Sequence, residues 1–161
     1  SVEIRILDIQ ESPQADLTIL TLIVHVLRLL IEEKLCRLEE QQKWEAQPLA
    51  QLLMEVARFA ETTPVDNQAY LALFQWENGA VNAQQLWVHL FHKALDAYPD
   101  TLLPWKTSIE QLLESGSLST RILNNLDGIY SRQNLKLVYN ELCDCLQENE
   151  TLECSWPLAY S

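Results

Sequence analysis

The run from Leu17 to Ile31 constrains the fold most, because Leu, Ile, Val and His occupy nearly every side of a helix drawn through it, broken only by Thr18, Thr21 and Arg28. A helix that is apolar all round belongs in an interior. With His25 and Arg28 inside it, the run falls short of the roughly 20 apolar residues that a bilayer requires. The expected place for this helix is between a β-sheet on one side and later helices on the other. The polar runs Glu32-Glu33-Lys34 and Glu39-Glu40-Gln41-Gln42-Lys43 then carry the chain out to solvent.

Helical punctuation continues downstream. Pro48 marks a new start, with Leu49, Leu52, Leu53, Val56, Ala57 and Ala60 at three-four spacing before Thr62-Thr63-Pro64. Asp66 or Asn67 caps a helix carrying Tyr70 to Trp76 and stopped at Asn78-Gly79. Asn82 caps the stripe Leu86, Trp87, Leu90, Phe91, Ala94 and Leu95, which ends at Tyr98-Pro99. Pro104 opens a helix ending at Ser115-Gly116, and a short one follows from about Ser119 to Leu126, closed by Asp127-Gly128. Ser131 begins the last, with Leu135, Val138, Leu142 and Leu146 as its inner face. Only three Gly and six Pro in 161 residues leave little material for the turns of an all-β fold. The expected class is mainly α: one N-terminal strand followed by six or seven helices, with no internal repeat. Residues 1–45 form a strand-and-helix unit and residues 46–161 a helical subdomain.

The strand is the opening Val2-Glu3-Ile4-Arg5-Ile6-Leu7-Asp8. With side chains alternating, Val2, Ile4 and Ile6 share one face, and Glu3 and Arg5 share the other. A carboxylate beside a guanidinium suits a metal-nucleotide and anion site, or else a cross-strand ion pair. Such a strand requires a sheet supplied from upstream or from a partner chain.

Charge and cysteine usage exclude several classes. A formal charge of −12, from 23 acidic against 11 basic residues, with no window rich in Lys and Arg, argues against nucleic acid and anionic membrane surfaces as partners. Cys36, Cys143, Cys145 and Cys154 read as reduced cytoplasmic thiols in a chain large enough to fold without disulfides. Cys143 and Cys145 lie about 200° apart on a helix and do not converge on a metal. His89, His92 and Asp96 recur at one-turn spacing and form a candidate metal face, set against a packed pair on a Trp- and Phe-rich helix. His25 reads as a satisfied core histidine. The five Trp are scattered over separate elements and serve packing. No Gly-rich phosphate loop or nucleophile elbow is present.

The opening strand, the short break and then Ala15-Asp16-Leu17 leading into the long apolar helix resemble the carboxylate-amine ligases of the glutamine synthetase superfamily, and most closely the type 2 glutamate-cysteine ligase family. Ser115-Gly116-Ser117-Leu118-Ser119-Thr120-Arg121-Ile122-Leu123 is similar to a pattern in the helical C-terminal part of that family. The resemblance implies that Glu3 binds the Mg²⁺ that carries ATP and that Arg5 stabilises the transferred phosphoryl group or the substrate carboxylate. These are fitting roles for hard carboxylate oxygen and a rigid guanidinium fork. It also implies a reaction in which the γ-carboxylate of glutamate is activated as an acyl phosphate and an amine such as cysteine displaces phosphate. Asp8 and Arg121 receive no role. One strand with one carboxylate and one Arg does not hold Mg-ATP by itself, so the expectation is a C-terminal segment, inactive alone, that works with an upstream catalytic portion. The alternative is a free-standing helical interaction module whose strand augments a partner's sheet. An unpaired strand also favours self-association into a homo-oligomer.

Overall fold

The computed structural model describes residues 7–153. The strand residues Val2 to Ile6, with Glu3 and Arg5, lie outside the described residues, and Leu7 and Asp8 have no regular secondary structure.

Helix α1 (Pro13–Ile31) starts where Ser12, extended at φ −149°, accepts the amide of Ala15 on its hydroxyl, and Pro13 occupies the first turn. Asp16 in that turn also receives the amide of Gln10 at 3.0 Å, so the approach to the helix is pinned. The helix is four residues longer at its start than the apolar run. At 19 residues it meets the length and composition of a membrane span, so the expectation that it is too short does not hold. Its inner side, however, carries polar groups bonded within the protein. Thr18 donates its hydroxyl to the Gln14 carbonyl at 2.7 Å, and His25 bonds through both ring nitrogens.

The middle of the chain builds the rest of the core. The short α2 (Leu38–Gln41) leads to α3 (Ala46–Phe59) and a 3₁₀ turn at Ala60–Thr62. Strand β1 (Pro64–Val65) pairs antiparallel with β2 (Val81–Asn82), Val65 opposite Val81, around α4 (Gln68–Ala72). Asn67 caps α4 by accepting the amide of Tyr70. That helix stops before Trp76, because Gln75 takes a left-handed φ of +58°. Asn82 then serves α5 (Ala83–Ala97) with a complete capping box, its side chain accepting the Gln85 amide at 2.8 Å while the Gln85 side chain receives its own N–H at 3.2 Å. After α6 (Pro99–Leu102) and a 3₁₀ turn at Leu103–Trp105 come α7 (Lys106–Ser115), α8 (Leu118–Leu126) and α9 (Arg132–Glu148).

The class is mainly α, and each of the seven helices expected from the sequence is present, with α2 and α6 as added single turns. Helix α5 is the centre. Leu22, Val26 and Leu29 of α1, Leu86, Leu90, Phe91 and Ala94 of α5, and Ile109 of α7 share one buried core. Full burial of a Leu or Phe contributes about 1.5–3 kcal/mol, so this three-helix junction dominates the packing. Trp76, Trp87 and Trp105 flank the core, consistent with a packing role. The inner face of α9 differs from expectation: Val138 and Cys145 are buried, while Leu135 and Leu146 are exposed. Among the described residues only α8 packs closely on α9, so a narrow strip of it is covered by them.

Candidate functional site

Arg121 is the least expected interior residue. Helix α8 is capped by Ser117, whose hydroxyl accepts the Thr120 amide, and its three-four spacing puts Arg121, Asn125 and Leu126 on the buried side. The Arg121 guanidinium is 1% exposed and its Nη1 donates to the buried Glu11 carboxylate, forming an ion pair between residues that precede α1 and line α8. Nη1 also donates to the Leu152 carbonyl at 3.2 Å, and the Leu152 amide returns a bond to Glu11 Oε1 at 3.3 Å. Asn125 adds bonds from its amide nitrogen to the carbonyls of Arg121 and Glu153. One guanidinium thus fastens the approach to α1, helix α8 and the segment after α9.

Arg121 Nε and Nη2 and Glu11 Oε2 are buried without a hydrogen-bond partner among the described residues. Leaving such a group unpaired costs about 1–3 kcal/mol, and more when it is charged. Nε and Nη2 together form the edge of a guanidinium that receives a carboxylate through two parallel bonds.

Arg121 also forms part of the wall of a cavity of about 330 Å³, near the lower end of the range for small-molecule sites. Gln14 and Thr18 of α1, Ser108 and Gln111 of α7, and the Asn149–Thr151 turn line it, with Glu153. Asn149 adopts the left-handed conformation that ends α9, and its side-chain oxygen accepts the Gln14 amide at 2.9 Å, joining two of the walls. The lining is rich in amide and hydroxyl groups, with Leu112 and Ala15 as its apolar members.

The other candidates resolve as follows. Glu3 and Arg5 lie outside the described residues, so no distance relates them to this cavity. Asp8 is exposed, and its carbonyl accepts the Gln10 side chain at 3.0 Å. His89 donates through Nε2 to the Phe74 carbonyl at 2.8 Å and packs edge-on against Trp76, whereas His92 and Asp96 are exposed. Among the described residues no three His, Cys, Asp or Glu side chains cluster as metal ligands. His25 is a core histidine. Its Nδ1 faces the Thr21 carbonyl at 2.7 Å and therefore carries the proton, and its Nε2 meets the Thr101 hydroxyl at 2.9 Å.

A second charged cluster sits at the end of α1. The Tyr98 ring lies under Arg28 and Lys34, 4.1 and 4.2 Å from its centroid, and its hydroxyl donates to Glu32 at 3.0 Å. The Lys34 hydrogen bond, supported by that of Tyr98, lowers the Glu32 carboxyl pKa. Every member is paired with another, so the cluster fastens the helix end and leaves no group free for a ligand.

Sequence reasoning noted Arg121 without assigning it a role. The available signal was Arg121 and Asn125 one turn apart beside Leu126, a polar pair on the side of α8 that an amphipathic helix buries. Comparison with known protein families, with curated proteins and with solved structures finds no match for this chain.

Proposed function

We propose that the chain is the C-terminal segment of an ATP-dependent carboxylate-amine ligase resembling the type 2 glutamate-cysteine ligases, working with an upstream catalytic portion of the same protein or a partner chain. The supporting observation is the outer face of α1. Leu17, Leu20, Val24 and Ile31 are 48%, 48%, 40% and 74% exposed. At about 100° per residue they fall within an arc of about 60°, on the side opposite Leu22, Val26 and Leu29. Single exposed apolar residues are ordinary, but a continuous stripe along a helix marks a surface that is covered in use. The helix follows directly on the Glu3/Arg5 segment, and an apolar sheet face laid on this stripe completes the layered arrangement expected from the sequence.

In this reading Glu3 supplies a carboxylate to Mg²⁺, and Arg5 neutralises charge on the phosphoryl group or on the glutamate carboxylate. The remaining acidic ligands come from the catalytic portion. ATP supplies the phosphoryl group that activates the γ-carboxylate, and an amine such as cysteine displaces it. Titrating Mg-ATP into this chain alone and into the chain joined to its upstream coding region tests the reading: binding by the joined form only is the expected result. Glu3→Ala in the joined form should abolish turnover without loss of helical signal, and Arg5→Lys should be nearly as damaging because the fork is lost.

A second reading, a helical interaction module, draws on α3, which buries none of its residues and exposes Leu49, Leu53, Met54 and Phe59. Failure of the joined form to bind Mg-ATP would favour it.

A further inference from the structure

Helix α9 presents an apolar stripe to solvent whose meaning does not depend on the ligase reading. Leu135, Tyr139 and Leu146 are exposed and Leu142 is half-buried. At about 100° per residue these four fall within an arc of about 60°, roughly 80° round the helix from the buried pair Val138 and Cys145. The charges on the same helix indicate what covers the stripe. Arg132 and Lys136 stand in its first half, Glu141, Asp144 and Glu148 in its second, and none of the five is ion-paired among the described residues. That order runs against the helix dipole, which favours acid at the start and base at the end. The first turn holds no acidic residue and the last turn no basic one. Such an arrangement weakens the helix by itself, and a neighbour of reversed polarity offsets the loss.

We propose that the chain self-associates through α9, two copies packing antiparallel on Leu135, Tyr139, Leu142 and Leu146. The four-three-four spacing of these residues is symmetric about the point between Asn140 and Glu141. A second α9 running the other way therefore sets Leu135 against Leu146 and Tyr139 against Leu142, each pair twice, as a two-fold interface requires. The same register lays Arg132 and Lys136 of each copy along the acidic half of the other, whereas a parallel register sets like charges together. A uniformly acidic or uniformly basic partner would match only one half of the helix. One helix pair is a small interface and each copy carries a formal charge of −12, so the dimer is a weak one.

Sedimentation equilibrium of the full chain tests this. Expected is a reversible monomer–dimer equilibrium with a Kd of about 10–100 µM. Tyr139→Glu with Leu146→Glu should leave the chain monomeric up to about 1 mM, with the urea midpoint of the dilute parent. Arg132→Glu with Lys136→Glu should weaken association at least about tenfold, because both halves of α9 are then acidic. Adding Glu148→Lys with Glu150→Lys to that variant should restore association, because the polarity is then reversed as a whole. These four charged positions are exposed, so the charge variants decide the matter even if the stripe variant fails to fold. A parent chain that stays monomeric at about 1 mM overturns the assignment, the stripe then being covered by residues 154–161 or by a different protein. It is equally overturned by a dimer that survives in the folded stripe variant, or by one indifferent to reversal of Arg132 and Lys136.

Discussion

Glu11 and Arg121, 110 positions apart in sequence, meet as a fully buried ion pair that also holds the backbone of Leu152 from both sides. Two charges taken out of water are costly, and their attraction repays that cost only when both partners are present. Glu11→Ala and Arg121→Ala should each destabilise the chain by about 3–5 kcal/mol, because each strands the opposite charge. The double replacement Glu11→Leu with Arg121→Met should recover much of that loss. Urea unfolding of the two single variants and the double variant measures it, and equal losses in all three would show that packing rather than charge governs the site.

Glu61 and Gly116 form a second long-range contact with a pH signature. Burial raises the Glu61 pKa, but hydrogen bonds from Thr120, from its own amide and from Ser117 outweigh it, so the folded value lies below the ordinary 4.5. A depressed carboxyl contributes stability that is whole above the ordinary value and fades as pH falls below it toward the folded value. Glu61→Gln should therefore flatten the acid limb of the stability profile between neutral pH and the acid side of 4.5. Its partial exposure to solvent keeps the effect small. Urea midpoints at the two ends of that window provide the check.

Gly116 has φ +80°, and a methyl group there would come within 2.9 Å of Glu61 Oε1. Both the backbone conformation and the contact oppose a side chain. Gly116→Ala is expected to destabilise by more than about 1 kcal/mol, from the left-handed backbone alone. Thermal unfolding of Gly116→Ala beside Gly79→Ala separates the two causes, since Gly79 shares the positive φ but has open space around it.

The capping box at Asn82 joins the small sheet to the central helix. Asn82→Ala should cost about 1 kcal/mol, within the 0.5–2 range for such caps, and Asn82→Asp should cost much less. Hydrogen exchange in the first turn of α5 reports the loss locally.

Charge placed on the outer stripe of α1 separates folding from assembly. Leu20→Glu with Val24→Glu should leave the helical signal and urea midpoint nearly unchanged, because these side chains face away from the core, while abolishing Mg-ATP turnover by the joined form. A fall in the midpoint comparable to that of Leu29→Ala, about 2–5 kcal/mol, would place the stripe inside the folded unit instead.

What could be read from sequence was local. Asn82 before its stripe, Asp127-Gly128 and Ser131 each fix a helix end through contacts within a few residues, and each acts where it was expected. The β1–β2 pair left no trace because two-residue strands are too short for alternation to register. The outer stripe of α1 was hidden for the opposite reason: a helix apolar on every side does not announce which side its own chain will leave open. The Arg121 site was not legible because no periodicity links Glu11, Arg121 and Leu152, which meet only after three separate elements have packed. The Glu3 and Arg5 assignment rests on the resemblance and on the proposal built from it.

The fastening of Leu152 to Glu11 across 141 positions has a kinetic meaning. Contacts between such distant parts of a chain close late, after helices have formed from their own neighbourhoods. Loosening the clasp should therefore quicken escape from the native state while hardly slowing the route into it. Arg121 acts in this sense as a latch on the lifetime of the folded protein.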